Sequence, residues 1–473
     1  MNKTVLFCLY LLLGSLLPAQ ASDLKISNEL LFVEGPRDNR TMYAILDVKW
    51  KNAWKNDQNH DAVWLFCKFV MGEDGYRHIP LRQTGHEIIH VAQAGLQLQF
   101  EVAADGAGLF IVPSGTYRGD VSLKIKIAID PAPFTRFNTE RASFRAFGLE
   151  MVKIPTGAFY AGEIDSSTAR QYQAFYQPDE NGVHKGAVLI NAENELTVGK
   201  DIAYNPSEVI YQGDGKGVIP KAFPKGYEGF YGMKYEVRQG EYALFLNTLS
   251  NGQSQLRSNF GGRDYYRMRG TIAFDGEKYV AASPDRPCNF LSWDDAMAFA
   301  DWCALRPMTE LEFEKACRGN RKPLPNEFPW GNADKLRTER RVNAAGDLAH
   351  LSGKPESELS SKTMAEFGAS QYWLMDLAGS VWERCITVGD SLGRSFKGTH
   401  GDGAISYYGF ATNEDWPAGV SEQGGFGFRG GGFYHPDRAY HEFNPFSPVS
   451  YRRFGAWSGG NRTEAYGSRL VRR

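Results

Sequence analysis

The chain has 473 residues, 42% hydrophobic and 23% charged, and its 53 basic side chains face 55 acidic ones for a formal charge of −2. At roughly 100–200 residues per domain this is a soluble globular composition with material for two to four domains. It lacks the basic excess that sequence-independent nucleic-acid binding requires, so no nucleic-acid partner is expected.

Lys3, the apolar run Val5 to Leu17 and the Ala19-Gln20-Ala21 site have the layout of a secretory leader cleaved before Ser22. Residues 1–21 are therefore read as a signal peptide, and the protein is expected to be secreted, periplasmic or at the cell surface. No later run approaches 18 apolar residues, so no transmembrane segment is predicted. Cys8 lies in the leader, leaving Cys67, Cys288, Cys303, Cys317 and Cys385. They contain no CxxC, which argues against a zinc ribbon, and five thiols cannot all pair.

Residues 22–146 read as a β-sandwich. Tyr43–Trp50, Ala62–Val70, Leu96–Ala103 and Gly108–Val112 are β-rich runs between turn residues, and Val121–Ile129 alternates apolar with other residues at a period of two. Within this segment His86-Glu-Ile-Ile-His90 matches HExxH, in which a helix sets two imidazoles on zinc and the Glu acts as base. The string sits among strands between Gly85 and Gly95 without a third ligand at a familiar spacing. His86 and His90 are thus zinc candidates only if a helix forms there. A polar stretch after Asp130 and the change of texture beyond it place a domain boundary between 146 and 150.

From 150 to 473 the chain reads as helices among long Gly-rich loops. In Glu236–Leu249 the residues Tyr242, Phe245, Leu246 and Leu249 form one apolar stripe. Ser292 with Asp295, and Thr309 with Glu312, are capping-box pairs that open the next two helices, the latter ending before Gly319. Each stripe is read as core.

Eight blocks then occur in order: Met151-Val-Lys-Ile-Pro-Thr-Gly-Ala-Phe159, Tyr235-Glu-Val-Arg-Gln-Gly-Glu-Tyr242, Asn289-Phe-Leu-Ser-Trp293, Arg306-Pro-Met-Thr-Glu310 with Cys317-Arg-Gly319, Phe328-Pro-Trp-Gly-Asn332, Met375-Asp-Leu-Ala-Gly-Ser-Val-Trp-Glu383, Phe428-Arg-Gly-Gly-Gly-Phe433 and Gly467-Ser-Arg-Leu-Val-Arg472. Together they resemble the formylglycine-generating enzyme, or sulfatase-modifying factor, family. The resemblance implies a loop-rich, C-type-lectin-like domain over 150–473, which with the N-terminal β-sandwich read above makes an α+β protein. It also implies oxidation of a sulfatase cysteine at a copper held by two cysteines just after the Arg-Gly-Gly block. Here His435 and Tyr440 fall at those positions, and no cysteine follows Cys385. Soft thiolates are what select Cu(I), so copper is not expected. For the family's calcium sites, Ser380 replaces the usual Asn, leaving Asn343 and Glu383 as candidate oxygen ligands.

The expected function is therefore a binding or cell-surface scaffold module without formylglycine-generating activity, its partner a glycan, a peptide or a surface protein. The family also includes components of cell-surface assemblies. The alternatives are a diverged metal-dependent oxidase at His435 or a zinc peptidase at His86 and His90. Arg429, Phe433, Tyr434, His435, Tyr440 and Arg452, with Trp382, are the predicted ligand contacts, because rings beside arginines make recognition surfaces.

Overall fold

Period-two alternation and one unbroken apolar run decide how the N-terminal strands meet. The computed structural model describes residues 24–34, 41–70, 76–130, 143–205, 210–211, 213–334, 341–342, 348–349, 356–418, 424–433, 447–459 and 461–473. The leader and the stretch after Asp130 lie outside them. Nine strands come first: β1 (Lys25–Glu34), β2 (Thr41–Lys55), β3 (Asp61–Val70), β4 (Tyr76–Ile79), β5 (Glu87–Val91), β6 (Leu98–Val102), β7 (Leu109–Pro113), β8 (Tyr117–Ile129) and β9 (Ser143–Ile154). An antiparallel sheet runs β1-β2-β8-β5. Met42, Ala44, Leu46, Val48 and Trp50 of β2 are buried at every second position, and Val121, Leu123, Ile125 and Ile127 of β8 join them in one core.

Strand β3 is buried on both faces. Val63, Leu65, Cys67 and Phe69 enter the core under the first sheet. Ala62, Trp64 and Phe66 point the other way, into a second core that includes Phe245, Phe299 and Trp302. The sheet that contains β3 runs Arg306–Pro307, Leu470–Arg472, Phe230–Met233, β9, β3, β7, β6, with β4 also on β3. It carries residues from both ends of the chain.

The expected division at 146–150 falls inside a strand. Strand β9 passes through that boundary, pairing β3 continuously from Val70↔Ser143 to Asp61↔Val152 while Phe230–Met233 pairs its other edge. Phe144 and Ala146 belong to the first core and Phe147, Leu149 and Met151 to the second. A loop could have been a linker; a strand hydrogen-bonded on both edges is a seam.

The helices follow their signals. Ser292 and Asp295 form the capping box of Trp293–Trp302. Thr309 and Glu312 form that of Glu310–Arg318, which ends at Gly319 with φ 65°. The stripe at 236–249 becomes the shorter helix Gln239–Leu246, followed by Asn251–Arg257. A three-stranded sheet, Phe426–Arg429 against Trp382–Ile386 against Tyr466–Gly467, completes the part relevant to the site. No helix among the described residues is long and apolar enough to cross a membrane.

Candidate functional site

The Arg-Gly-Gly block was expected to present its arginine to a ligand, but the helix Glu310–Arg318 has taken it. Glu310 and Glu314 stand one turn apart on one face of that helix. Arg429 reaches both, Nη1 to Glu310 Oε2 at 3.2 Å and Nη2 to Glu314 Oε1 at 2.6 Å. Arg452 donates from Nε to Glu310 Oε2 at 2.8 Å, its guanidinium 4.0 Å from the Tyr204 ring centroid. Arg318 pairs with Glu314 and Glu327. All six side chains are buried. Burial opposes the charge on Arg429, but Glu314 and Glu310 more than restore it and its pKa is raised.

Arg429 and Arg452 are therefore core electrostatics rather than ligand contacts. Trp382 is also buried, clustered with Phe428, Tyr451, Phe454 and Tyr466. Gly432 lies so close over it that a Cβ there would meet the indole Cδ1 at 2.5 Å. Gly432 serves this close approach, while Gly430 and Gly431 take φ of 90° and 91°. Phe433 is half-buried with the Arg269 guanidinium 4.5 Å from its ring centroid. Tyr434, His435, Tyr440 and Asn343 lie outside the described residues.

The metal candidates divide similarly. His86 precedes β5, and Glu87–Val91 is a strand rather than the helix that HExxH needs. The imidazole of His86 is already used, Nε2 donating to Arg82 O at 2.7 Å and Nδ1 accepting from Ala128 N at 3.2 Å. The zinc reading of His86 and His90 is withdrawn on that geometry.

Glu383 is buried and accepts from Arg469 Nε at 2.9 Å, while its Oε2 lacks a hydrogen-bond partner. Burial pushes this carboxyl up against the pull of Arg469, and Asp376 adds to the push. One open oxygen falls short of the six to eight that calcium takes. Among the described residues no group of three or more His, Cys, Asp or Glu side chains could hold a metal ion. Copper fits no better. Cys67, Cys288, Cys303, Cys317 and Cys385 are unpaired by disulfide and buried, and burial raises each thiol's pKa, away from the thiolate that copper needs.

An open concavity lies elsewhere, on the β4 side of the described residues. A groove of about 1070 Å³ is lined by Arg77 and His78 of β4, Gln253 and Leu256 of the helix Asn251–Arg257, Trp302 at the end of its helix, and the loop 402–410. That loop is held from beneath. Lys68 Nζ of β3 donates to Gly403 O at 2.7 Å, Gln253 Nε2 to Ser406 O at 2.9 Å and Arg257 Nε to Gly409 O at 2.8 Å. Asp301 accepts from the Asp402 and Thr412 amides. Sequence reading missed this site, although Tyr407-Tyr408 between Ser406 and Gly409, two rings at a turn, was its visible sign.

Lys68 makes one part of this support pH-dependent. Burial pushes its pKa down to about 7 against the pull of Cys303, Asp301 and Asp402, whereas an unfolded lysine keeps its proton to 10.5. Between those values the unfolded chain holds one more proton than the native one, so stability is expected to rise with pH. Below about 7 both states are charged and the contribution is lost. Urea midpoints at about pH 7 and pH 9.5 should therefore differ less in Lys68→Met than in the parent. Equal differences would mean that Lys68 stays charged throughout.

Helices and sheets mixed along the chain, long glycine-bearing connections and an arginine–carboxylate network under the Arg-Gly-Gly strand define a loop-rich protein of mixed class. Residues 143–473, from β9 onward, match the sulfatase-modifying factor enzyme 1-like domain, and the chain belongs to that family. It is 27% identical over 186 residues to the formylglycine-generating enzyme of Bos taurus, covering 33% of this chain and 48% of that protein. It is 35% identical over 108 residues to that of Thermomonospora curvata, covering 22% and 35%. It is also 33% identical over 102 residues to the hercynine oxygenase of Mycolicibacterium smegmatis, covering 21% of each. In these alignments the chain spans about half or less of each relative's length.

Proposed function

We propose that this chain is a binding member of the sulfatase-modifying factor family, without cysteine-oxidising activity, that works outside the cytoplasm as a secreted or surface module. The observation that carries the reading is the thiol inventory. No cysteine follows Cys385 in the sequence, and the five from Cys67 to Cys385 are sealed in cores. Among the described residues no cysteine is exposed as a thiolate donor for Cu(I). The leader-like segment 1–21 supports export. The β1-β2-β8-β5 sheet, packed over β3, supports an N-terminal β-sandwich layer built onto the family fold.

The test uses the purified protein with Cu(I), oxygen and a cysteine-containing peptide from a sulfatase, followed by mass spectrometry. The cysteine should not be converted to formylglycine beyond a protein-free copper control. Formylglycine formed only when both copper and the protein are present would overturn the reading and move attention to His435.

A further inference from the structure

Tyr407 and Tyr408 are 87% and 72% exposed, yet the loop that carries them is tied down on both sides of them. Ser406 and Phe410 close a turn, Phe410 N donating to Ser406 Oγ at 3.0 Å and Ser406 N to Phe410 O at 2.8 Å. Buried Arg257 ties Gly409 from below and lies 4.5 Å from the Phe410 ring centroid. The two tyrosine rings stand 5.2 Å apart at 84°, making an L-shaped ledge on the rim of the groove. Rings held out into water on a fixed loop contribute nothing to the core. Pre-ordered aromatic area of this kind saves the ordering cost that binding otherwise carries.

We propose that this groove binds a neutral oligosaccharide, with Tyr407 and Tyr408 as its stacking platform. Three features favour that occupant. A sugar ring offers an apolar C–H face to stack on a phenol ring and hydroxyls around its edge, and tyrosine meets both with its face and its O–H. The ionisable lining beyond the tyrosines is one arginine, Arg77, one aspartate, Asp402, and His78, which burial and the neighbouring Lys68 hold neutral with a pKa far below its usual value. That is a balanced pair, suited to directed hydrogen bonds with hydroxyls, and no cationic array for phosphates or polyanions. The volume lies at the top of the usual 300–1,000 Å³ of small-ligand sites, room for more than one linked ring. A peptide added as an extra strand is disfavoured, because the Tyr76 amide on β4 is already bonded to Thr248 O at 3.1 Å.

The proposal rests on reading the chain as a binding protein, but the two fail separately: copper-dependent peptide oxidation sinks only the former reading, and an empty groove sinks only this one. The experiment titrates the whole protein with hexamers of neutral gluco-, xylo-, manno- and N-acetylglucosamine oligosaccharides by calorimetry, and repeats any hit with variants. At least one should bind. Tyr407→Ala/Tyr408→Ala should weaken it tenfold or more, Tyr407→Phe/Tyr408→Phe should lose less because the rings remain, and Tyr266→Ala, an exposed ring outside the groove, should leave it unchanged. The proposal is overturned if none of the hexamers binds, if binding survives the double alanine variant unchanged, or if a proline-rich peptide or a polyanion takes the site in a Tyr407- and Tyr408-dependent way.

Discussion

Expressed from residue 150 onward, without the strands before it, the chain should show no cooperative unfolding transition, whereas the chain from residue 24 should unfold as one unit. Starting at 150 removes β3 together with residues 143–149 of β9, so all ten β3–β9 pairs are lost, and it opens the second core where Trp64 and Phe66 enter it. Trp64 is held there by Nε1 donating to Cys303 O at 2.9 Å, by the Phe110 ring at 4.8 Å and by the Arg472 guanidinium 4.5 Å from its ring centroid. Even the single change Trp64→Ala should cost about 3–5 kcal/mol in denaturant unfolding, the usual range for deleting a buried tryptophan. A cooperative transition from the shorter chain, with Trp64→Ala near neutral, would mean that the family domain closes its own core.

The second large effect concerns Arg429. Arg429→Ala leaves Glu310 and Glu314 buried with one fewer cation between them, and breaking such a pair typically costs about 3–5 kcal/mol. Adding Glu314→Gln to Arg429→Ala should recover part of the loss, since it removes a charge left uncompensated. An arginine on a recognition surface would behave differently, its alanine variant lying within about 0.5 kcal/mol of the parent. Chemical denaturation of the three proteins separates the cases, and a parent-like Arg429→Ala would restore the surface reading.

Local patterns were legible where one face of an element sees one environment. The alternation of Val121–Ile129 and the boxes at Ser292 and Thr309 each describe a relation within a few residues, and the elements formed where those patterns lie. The eight ordered blocks identified the family for the same reason, as local strings in sequence. What failed was partnership at a distance. Arg429 and Arg452 read as surface charge because their carboxylates lie 115 to 142 positions away in the chain. The sign available was Glu310, Glu314 and Arg318 at four-residue spacing on one helix. In β3 the apolar run Ala62–Cys67 marks a strand, but a run buried on both faces needs a cover for the second face, and that cover, Phe245, Phe299 and Trp302, lies far along the chain. The HExxH string failed because its spacing means metal only on a helix, and cross-strand pairing with β8 set it in a strand instead.

The placement of Leu470–Arg472 carries a consequence in time. This strand sits between Arg306–Pro307 and Phe230–Met233 in the sheet that also holds β3. Ribosomes add about 5–20 residues per second, so a partner made roughly 400 residues after β3 arrives some 20–80 s later. Until then the sheet is unfinished and its half-made edge stays open to other strands. Biogenesis of this protein should therefore depend on a holding chaperone during synthesis, and depleting one should yield aggregates seeded by the open Phe230–Met233 edge.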